Sequence, residues 1–118
     1  MAYVDGFIVP VPKKNLAAYK KMAKLGAKVW REHGAIDYKE CVADDVSVGK
    51  WTSFPRSVKL KKTETVFFSY IVYKSRKHRD AVLKKVMADK RLTGMGTTMK
   101  MSFDAKRMIY GGFKVFLA

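Results

Sequence analysis

Two histidines, one cysteine and a few carboxylates hold whatever proton or nucleophile chemistry this chain could do. His33 stands at the end of a helical pattern, just before Gly34. It either compensates the helix dipole or faces a cleft between helix and sheet as a general acid or base. Asp5 interrupts an apolar strand. A carboxylate there is solvated at an edge, paired with Arg107 or another cation, or functional. His33 and Asp5 are therefore the candidate catalytic residues. Trp30, Tyr38 and Arg107 are the candidate ligand lining, and Glu40 could project into the same cleft, although strand parity is not fixed by sequence. His78, in Ser75-Arg-Lys-His-Arg-Asp80, falls in the first turn of a helix and is expected at the solvent. Neither histidine has carboxylates at ligand spacing, so no metal site is expected. No nucleophile elbow, Walker loop or dinucleotide fingerprint occurs, and no cofactor is expected. Gly94-Met95-Gly96 lacks the strand before it and the helix after it that a phosphate loop requires. Cys41 is expected to be buried and inert. Gly111-Gly112 interrupts a strand, which predicts a bulge or a close approach, by a neighbouring element or by a ligand.

Charge adds a second kind of candidate. Twenty-five Lys and Arg against ten Asp and Glu give a net charge of +15. Such a field attracts anions: nucleic acid, lipid headgroups or phosphorylated metabolites. Lys20, Lys21, Lys24, Lys28 and Arg31 share one helical sector with no acid in it, and form a candidate polyanion-binding stripe. The bland reading is a solvated lysine layer.

The elements that must position these residues are legible. The chain has 118 residues, about one domain's worth, 1–118. Tyr3 to Val11 reads as a strand, with Pro10 and Pro12 marking an edge or an end. Lys14 to Glu32 reads as a helix stopped by Gly34, with Leu16, Tyr19, Ala23, Ala27 and Trp30 on its apolar side. Ala23, Gly26 and Ala27 would let it lie close to a sheet. A second strand spans about Ile36 to Val42. A long connection through Glu64 follows, whose Trp51, Phe54, Val58 and Leu60 must pack somewhere: on the domain's own core, against a partner, or over a pocket. Thr65 to Tyr73 is the strongest strand, apolar on both faces. Ser75 caps a helix from Arg76 to about Ala88, with Val82, Leu83, Val86 and Met87 buried. After a Gly/Thr/Met connector from Asp89 to Met101, Arg107 to Leu117 forms the last strand. The order β-α-β-β-α-β predicts an α+β fold: a ferredoxin-like βαββαβ antiparallel sheet with both helices on one face. Strands apolar on both parities need cover on the other face too, and a second copy is the simplest cover, giving a dimeric α/β barrel.

The blocks Tyr3-Val-Asp-Gly-Phe-Ile-Val-Pro-Val-Pro-Lys13, Val29-Trp-Arg-Glu-His-Gly-Ala35, Glu40-Cys-Val-Ala-Asp-Asp45, Thr52-Ser-Phe-Pro55, Ile71-Val-Tyr-Lys-Ser-Arg76 and Lys106-Arg-Met-Ile-Tyr-Gly-Gly-Phe113 resemble the YbaA-like bacterial proteins, domain of unknown function 1428. The resemblance runs nearly end to end. It implies the dimeric α/β-barrel superfamily and a homodimer; it brings no reaction and no catalytic residues. This chain is richer in lysine than expected of such relatives.

The resulting expectation is an uncharacterised homodimer, an enzyme or not, binding a small molecule between sheet and helices. The alternative is nonspecific RNA or DNA binding through the lysine stripe, phosphate-directed and salt-sensitive. An RNA-recognition sheet is disfavoured because the Gly-Phe-rich Tyr110-Gly-Gly-Phe-Lys-Val-Phe116 lies in the fourth strand instead of the third. A lone cysteine suits a reducing compartment. With no signal peptide and no apolar run of about 20 residues, the expected location is the cytoplasm, away from membranes.

Overall fold

A computed structural model describes residues 1–93 and 102–118. Its elements follow in chain order: β1 (Tyr3–Pro12), α1 (Leu16–Glu32), β2 (Asp37–Val42), α2 (Phe54–Ser57), β3 (Glu64–Tyr73), α3 (Arg76–Met87), α4 (Lys90–Thr93) and β4 (Ile109–Lys114). Short 3-10 turns precede α1 and β4. The α+β expectation holds. The strands form one four-stranded sheet in the order β2-β3-β1-β4, and every neighbouring pair is antiparallel. The connector expected from Asp89 to Met101 contributes α4; the rest of it, with Gly94-Met95-Gly96, lies outside the described residues. No described helix is long and apolar enough to cross a membrane.

The period of two sorts the strands into faces. Tyr3 pairs with Tyr73, Phe7 with Ser69 and Val9 with Phe67, so odd positions of β1 and β3 share a face. That face meets the helices. Tyr3, Ile71 and Tyr73 pack with Val29 of α1 and with Val82 and Val86 of α3. Val9, Val11 and Phe67 pack with Tyr19 and Met22 of α1 and with Phe103. Full burial of one such side chain stabilises by about 1.5–3 kcal/mol. The opposite face holds Val4, Ile8, Phe68, Tyr70, Val72, Ile109 and Phe113. There Phe68, Ile109 and Phe113 are 45%, 42% and 65% exposed. β3 is thus apolar on both sides as expected, but among the described residues the side away from the helices is covered only in part, Val66 being buried there and Phe68 exposed.

Several local expectations need correcting. The buried line of α1 is Tyr19, Met22, Gly26 and Val29, rotated from the expected Leu16-Tyr19-Ala23-Ala27-Trp30 sector. The helix tilts onto the sheet at Gly26, where a Cβ would stand 3.4 Å from the Tyr38 hydroxyl. Met87, the last residue of α3, is exposed. Ser75 does cap α3, its side chain accepting from the His78 amide at 3.1 Å. Gly34 does stop α1, with φ +116°, in the left-handed region glycine tolerates.

β1 is a central strand, so its prolines do not mark a sheet edge in the simple sense. Its partner β4, however, reaches only from Tyr3 to Ile8, and β1 runs on to Pro12. Lys13 donates to the Thr63 carbonyl on the β3 side. Val115 donates to the Ala2 carbonyl on the β4 side. Odd β1 residues therefore direct their backbone polar groups to β3, and even ones to β4. Pro10 and Pro12 are even, and stand where β1 has outrun β4. Their missing N–H groups leave no orphan donors there.

The connection between β2 and β3 covers one end of this open face. Val58 and Pro55 are buried in it, and Phe54 meets Phe68 edge to face at 6.0 Å. Trp51 remains 86% exposed.

Candidate functional site

The expected single lining set separates into two hollows on the helix side of the sheet, with two residues far from either. The first hollow lies between α1 and β2. Helical positions 20, 24, 27 and 31 share a face, and Lys20, Lys24, Ala27 and Arg31 line it with Ala23. Tyr38, Glu40 and Val42 line it from β2, alternating outward from the strand, and Phe67 and Tyr19 complete it. Its volume is about 290 Å³. The floor is a carboxyl: Tyr19 donates to Glu40 Oε1 at 2.8 Å and Tyr38 to Oε2 at 3.1 Å. Burial pushes the Glu40 carboxyl above its ordinary range, and the two hydroxyl donors only partly oppose this. Both tyrosine hydroxyls are pushed up, by burial and by the neighbouring carboxylate. Their protons therefore stay on oxygen, and the titrating group of the cleft is Glu40.

The second hollow, about 320 Å³, lies between α3, α1, β1 and β4. Asp5 is here, 6% exposed. It pairs with Arg79 of α3 at 2.6 Å, not with Arg107, and the Tyr73 hydroxyl donates to it. The Trp30 indole in turn donates to the Tyr73 hydroxyl at 3.1 Å. Burial pushes the Asp5 carboxyl up, and Arg79 and Tyr73 draw it part of the way back. Arg79 also lies over the Tyr3 ring at 5.0 Å. Trp30 and Tyr38, expected to line one cleft, form the wall between two: their rings are 5.9 Å apart, Tyr38 toward Glu40 and Trp30 toward Asp5.

His33 and Arg107 join neither hollow. His33 caps the C-terminus of α1, and its Nε2 meets Asp89 Oδ2 at 2.8 Å. Asp89 is held well below the ordinary carboxylate range by hydrogen bonds from Arg91 and then His33. This cluster bolts α1 to the segment after α3. Arg107 sits in the turn before β4 and grips Glu64 through Nη1 at 2.9 Å and Nη2 at 2.5 Å. It also donates to the carbonyls of Val58 and Lys59. His78 is half-buried, not free in solvent: its Nδ1 accepts from the Lys74 amide at 2.9 Å. Cys41 is exposed, not buried, because β2 is an edge strand and position 41 shares the parity of the uncovered face. Gly112 is explained by packing: a Cβ there would fall 2.3 Å from the Tyr3 hydroxyl oxygen, whereas one on Gly111 would meet only the Phe113 ring at 3.7 Å. Among the described residues no group of three or more His, Cys, Asp or Glu could hold a metal ion.

Sequence reasoning missed Arg79 and Tyr19. The sequence places Tyr19 only on the apolar side of its helix and gives Arg79 no role of its own. Of the lysine stripe, Lys20, Lys24 and Arg31 turn toward the Glu40 cleft. Lys21 and Lys28 lie further round the helix, exposed to solvent.

A model of a protein of unknown function, DUF1428, matches residues 2–105. The chain belongs to the DUF1428 family. Uncharacterized protein YbaA of Escherichia coli K12 is 47% identical over 114 residues, 97% of this chain and 96% of the relative. The YbaA protein of Shigella flexneri matches to the same extent. Among solved structures, a mutant of SnoaB, a cofactor-independent oxygenase from Streptomyces nogalater, superposes with a TM-score of 0.58 at 10% identity over 99% of this chain and 95% of that one. A de novo designed protein, Foldit4, gives 0.51 at 8% identity over 97% and 98%. At these identities the likeness is one of fold. DUF1428 membership brings no reaction with it, so the side chains must carry the functional reading.

Proposed function

We propose that this DUF1428 protein binds a small anion with an apolar body in the cleft between α1 and β2. The observation that supports this best is a carboxyl held by two tyrosine hydroxyls at the floor of a cleft rimmed by Lys20, Lys24 and Arg31. Ala23, Ala27 and Phe67 offer the apolar surface, and the three cations offer the charge. Glu40, pushed up by burial, is the group that can exchange a proton with what binds. Nothing in this arrangement requires a metal or cofactor.

The linkage has a definite sign. An anion binds best when Glu40 is protonated, so affinity rises as pH falls through the raised Glu40 value. Benzoate titrated by NMR at successively lower pH should bind more tightly toward the acid end by about five- to tenfold. Glu40→Gln should bind it at neutral pH as the wild type does in acid, with a flat profile. Absence of saturable binding, or an unchanged slope in Glu40→Gln, refutes the reading. The same carboxyl also links to folding. Since its folded value is raised, stability is lost as pH rises through the interval from its ordinary 4.5 to that value, and Glu40→Gln removes this component.

We further propose that the sheet is the ferredoxin-like arrangement in a dimeric α/β barrel, a second copy covering the open face. The supporting observation is charge placement. In a chain of +15, Lys39 is the one strand cation on that face by register, and it is paired with Asp37 at 2.7 Å. Phe116 and Leu117, 91% and 83% exposed just after β4, extend the apolar area. A cytoplasmic setting accords with an exposed, unpaired Cys41.

The second functional reading is polyanion binding by Lys20, Lys21, Lys24, Lys28 and Arg31, favoured by their exposure on one helix without an intervening acid. A labelled RNA should then bind at low salt and lose affinity steeply as salt rises; no binding at low salt refutes it.

A further inference from the structure

The hollow around Asp5 and Arg79 is not used by the Glu40 cleft, and the Trp30–Tyr38 wall separates the two. Its walls are apolar: Phe7 and Ile71 from the sheet, Leu83 and Met87 from α3, and Tyr110 beside the bare Gly111-Gly112 backbone. Its polar end is the Asp5–Arg79 pair, whose side chains are only 8% and 17% exposed. We infer that this hollow is a second ligand site, for a neutral, mainly apolar molecule carrying one hydrogen-bond acceptor such as an aromatic ketone.

The chemistry argues for that class. At about 320 Å³ the space stands at the lower end of ligand-pocket sizes, ~300–1,000 Å³. The buried Asp5 and Arg79 charges offset each other, and Asp80, which also meets Arg79, stays in solvent, so a charged ligand would bring an uncompensated charge into an apolar space. Asp5 already accepts from Arg79 and from Tyr73, which leaves it little reason to recruit a donor. Arg79 is different. Its Nη1 serves Asp5 and its Nε serves Asp80, and a guanidinium has five N–H donors. The polar end therefore has spare donors, none of them buried without a partner, and these favour an acceptor. Tyr73 and Trp30 hold Asp5 and so orient Arg79, which makes the donor end rigid.

The chain carries its own reporters. Trp30 lines the hollow, whereas Trp51 is 86% exposed in a distant segment. With acetophenone as probe, the indole N–H signal of Trp30 should shift saturably while that of Trp51 stays still. Leu83→Phe should weaken the binding tenfold or more by filling the space. Met87→Phe, at an exposed position, is an independent filling substitution should the first variant fold poorly. Glu40→Gln should leave acetophenone binding unchanged, which separates this site from the cleft under the other face of the wall. The inference is overturned if the two indoles shift alike without saturation. It is also overturned if both filling variants bind as the wild type does, or if Glu40→Gln abolishes the effect.

Discussion

Arg107→Ala is expected to cost about 3–5 kcal/mol of stability, the range for leaving one member of a buried ion pair uncompensated. Glu64 is 6% exposed, and Arg107 meets both of its oxygens. Two backbone carbonyls of the β2–β3 connection lose a donor in the same step. The connection would loosen, with Val58 and Pro55 losing part of their cover. Urea unfolding followed by circular dichroism measures this, with a midpoint shift of roughly 1–5 M for typical slopes. The pH dependence checks the cause. Arg107 holds the Glu64 carboxyl below its ordinary 4.5. The stabilisation is therefore fully present above that value and is lost as pH falls through the lower folded value. In the variant the unpaired carboxyl is favoured in its protonated form, so the gap between the two proteins should narrow in acid. A loss below about 1 kcal/mol would mean the pair behaves as a solvated surface bridge.

The second large effect concerns the open face. On the proposed barrel reading, the wild type should pair, and Phe68→Lys combined with Phe113→Lys should be monomeric at the same concentration. Both rings are already exposed within one chain, so the helix-side core is untouched and the circular dichroism spectrum should be retained. Four lysines meeting at a two-fold interface would repel, while the apolar area that drives association is lost. Sedimentation velocity separates the outcomes. A wild type that sediments as a monomer at tens of micromolar, roughly a K_d too weak for an obligate pair, ends the barrel reading, as does a double variant that remains dimeric.

The strands were legible because β-branched and aromatic residues alternate or run together over lengths no surface loop sustains. TVFFSYIVY in β3 is the clearest case. Position within the site was legible only in part. Glu40 and Tyr38 were recognised as possible cleft residues, but their shared inward parity depends on Tyr38 facing Ile71 and Glu40 facing Ser69 in the register, which depends on pairing far along the chain. Arg107 was misplaced for a related reason. Its partner Glu64 is 43 residues away, and the turn at Ala105–Arg107 keeps it out of β4. A cation partner is one of three readings of Asp5 in the sequence, and its cation sits on α3, where Arg76, Lys77, His78 and Arg79 stand side by side until docking of the helix selects Arg79. The buried line of α1 was misjudged because its apolar arc is wide. Tilt toward Gly26, a tertiary choice, selects which part of that arc goes deepest.

The prolines of the β1 overhang bear on how copies of this chain can meet. An intruding strand grows a sheet by matching donors and acceptors along a free edge, and donors are absent at Pro10 and Pro12, where β1 passes beyond β4. That stretch is a poor template for cross-β growth, both for its missing donors and because Val9, Pro10 and Val11 are buried, although it adjoins the strongly apolar β3. On the proposed barrel reading, association is steered away from open-ended stacking and toward closed pairing through the face. For a protein that leaves several aromatic rings uncovered in a single chain, the difference is between a soluble assembly of fixed size and a fibre.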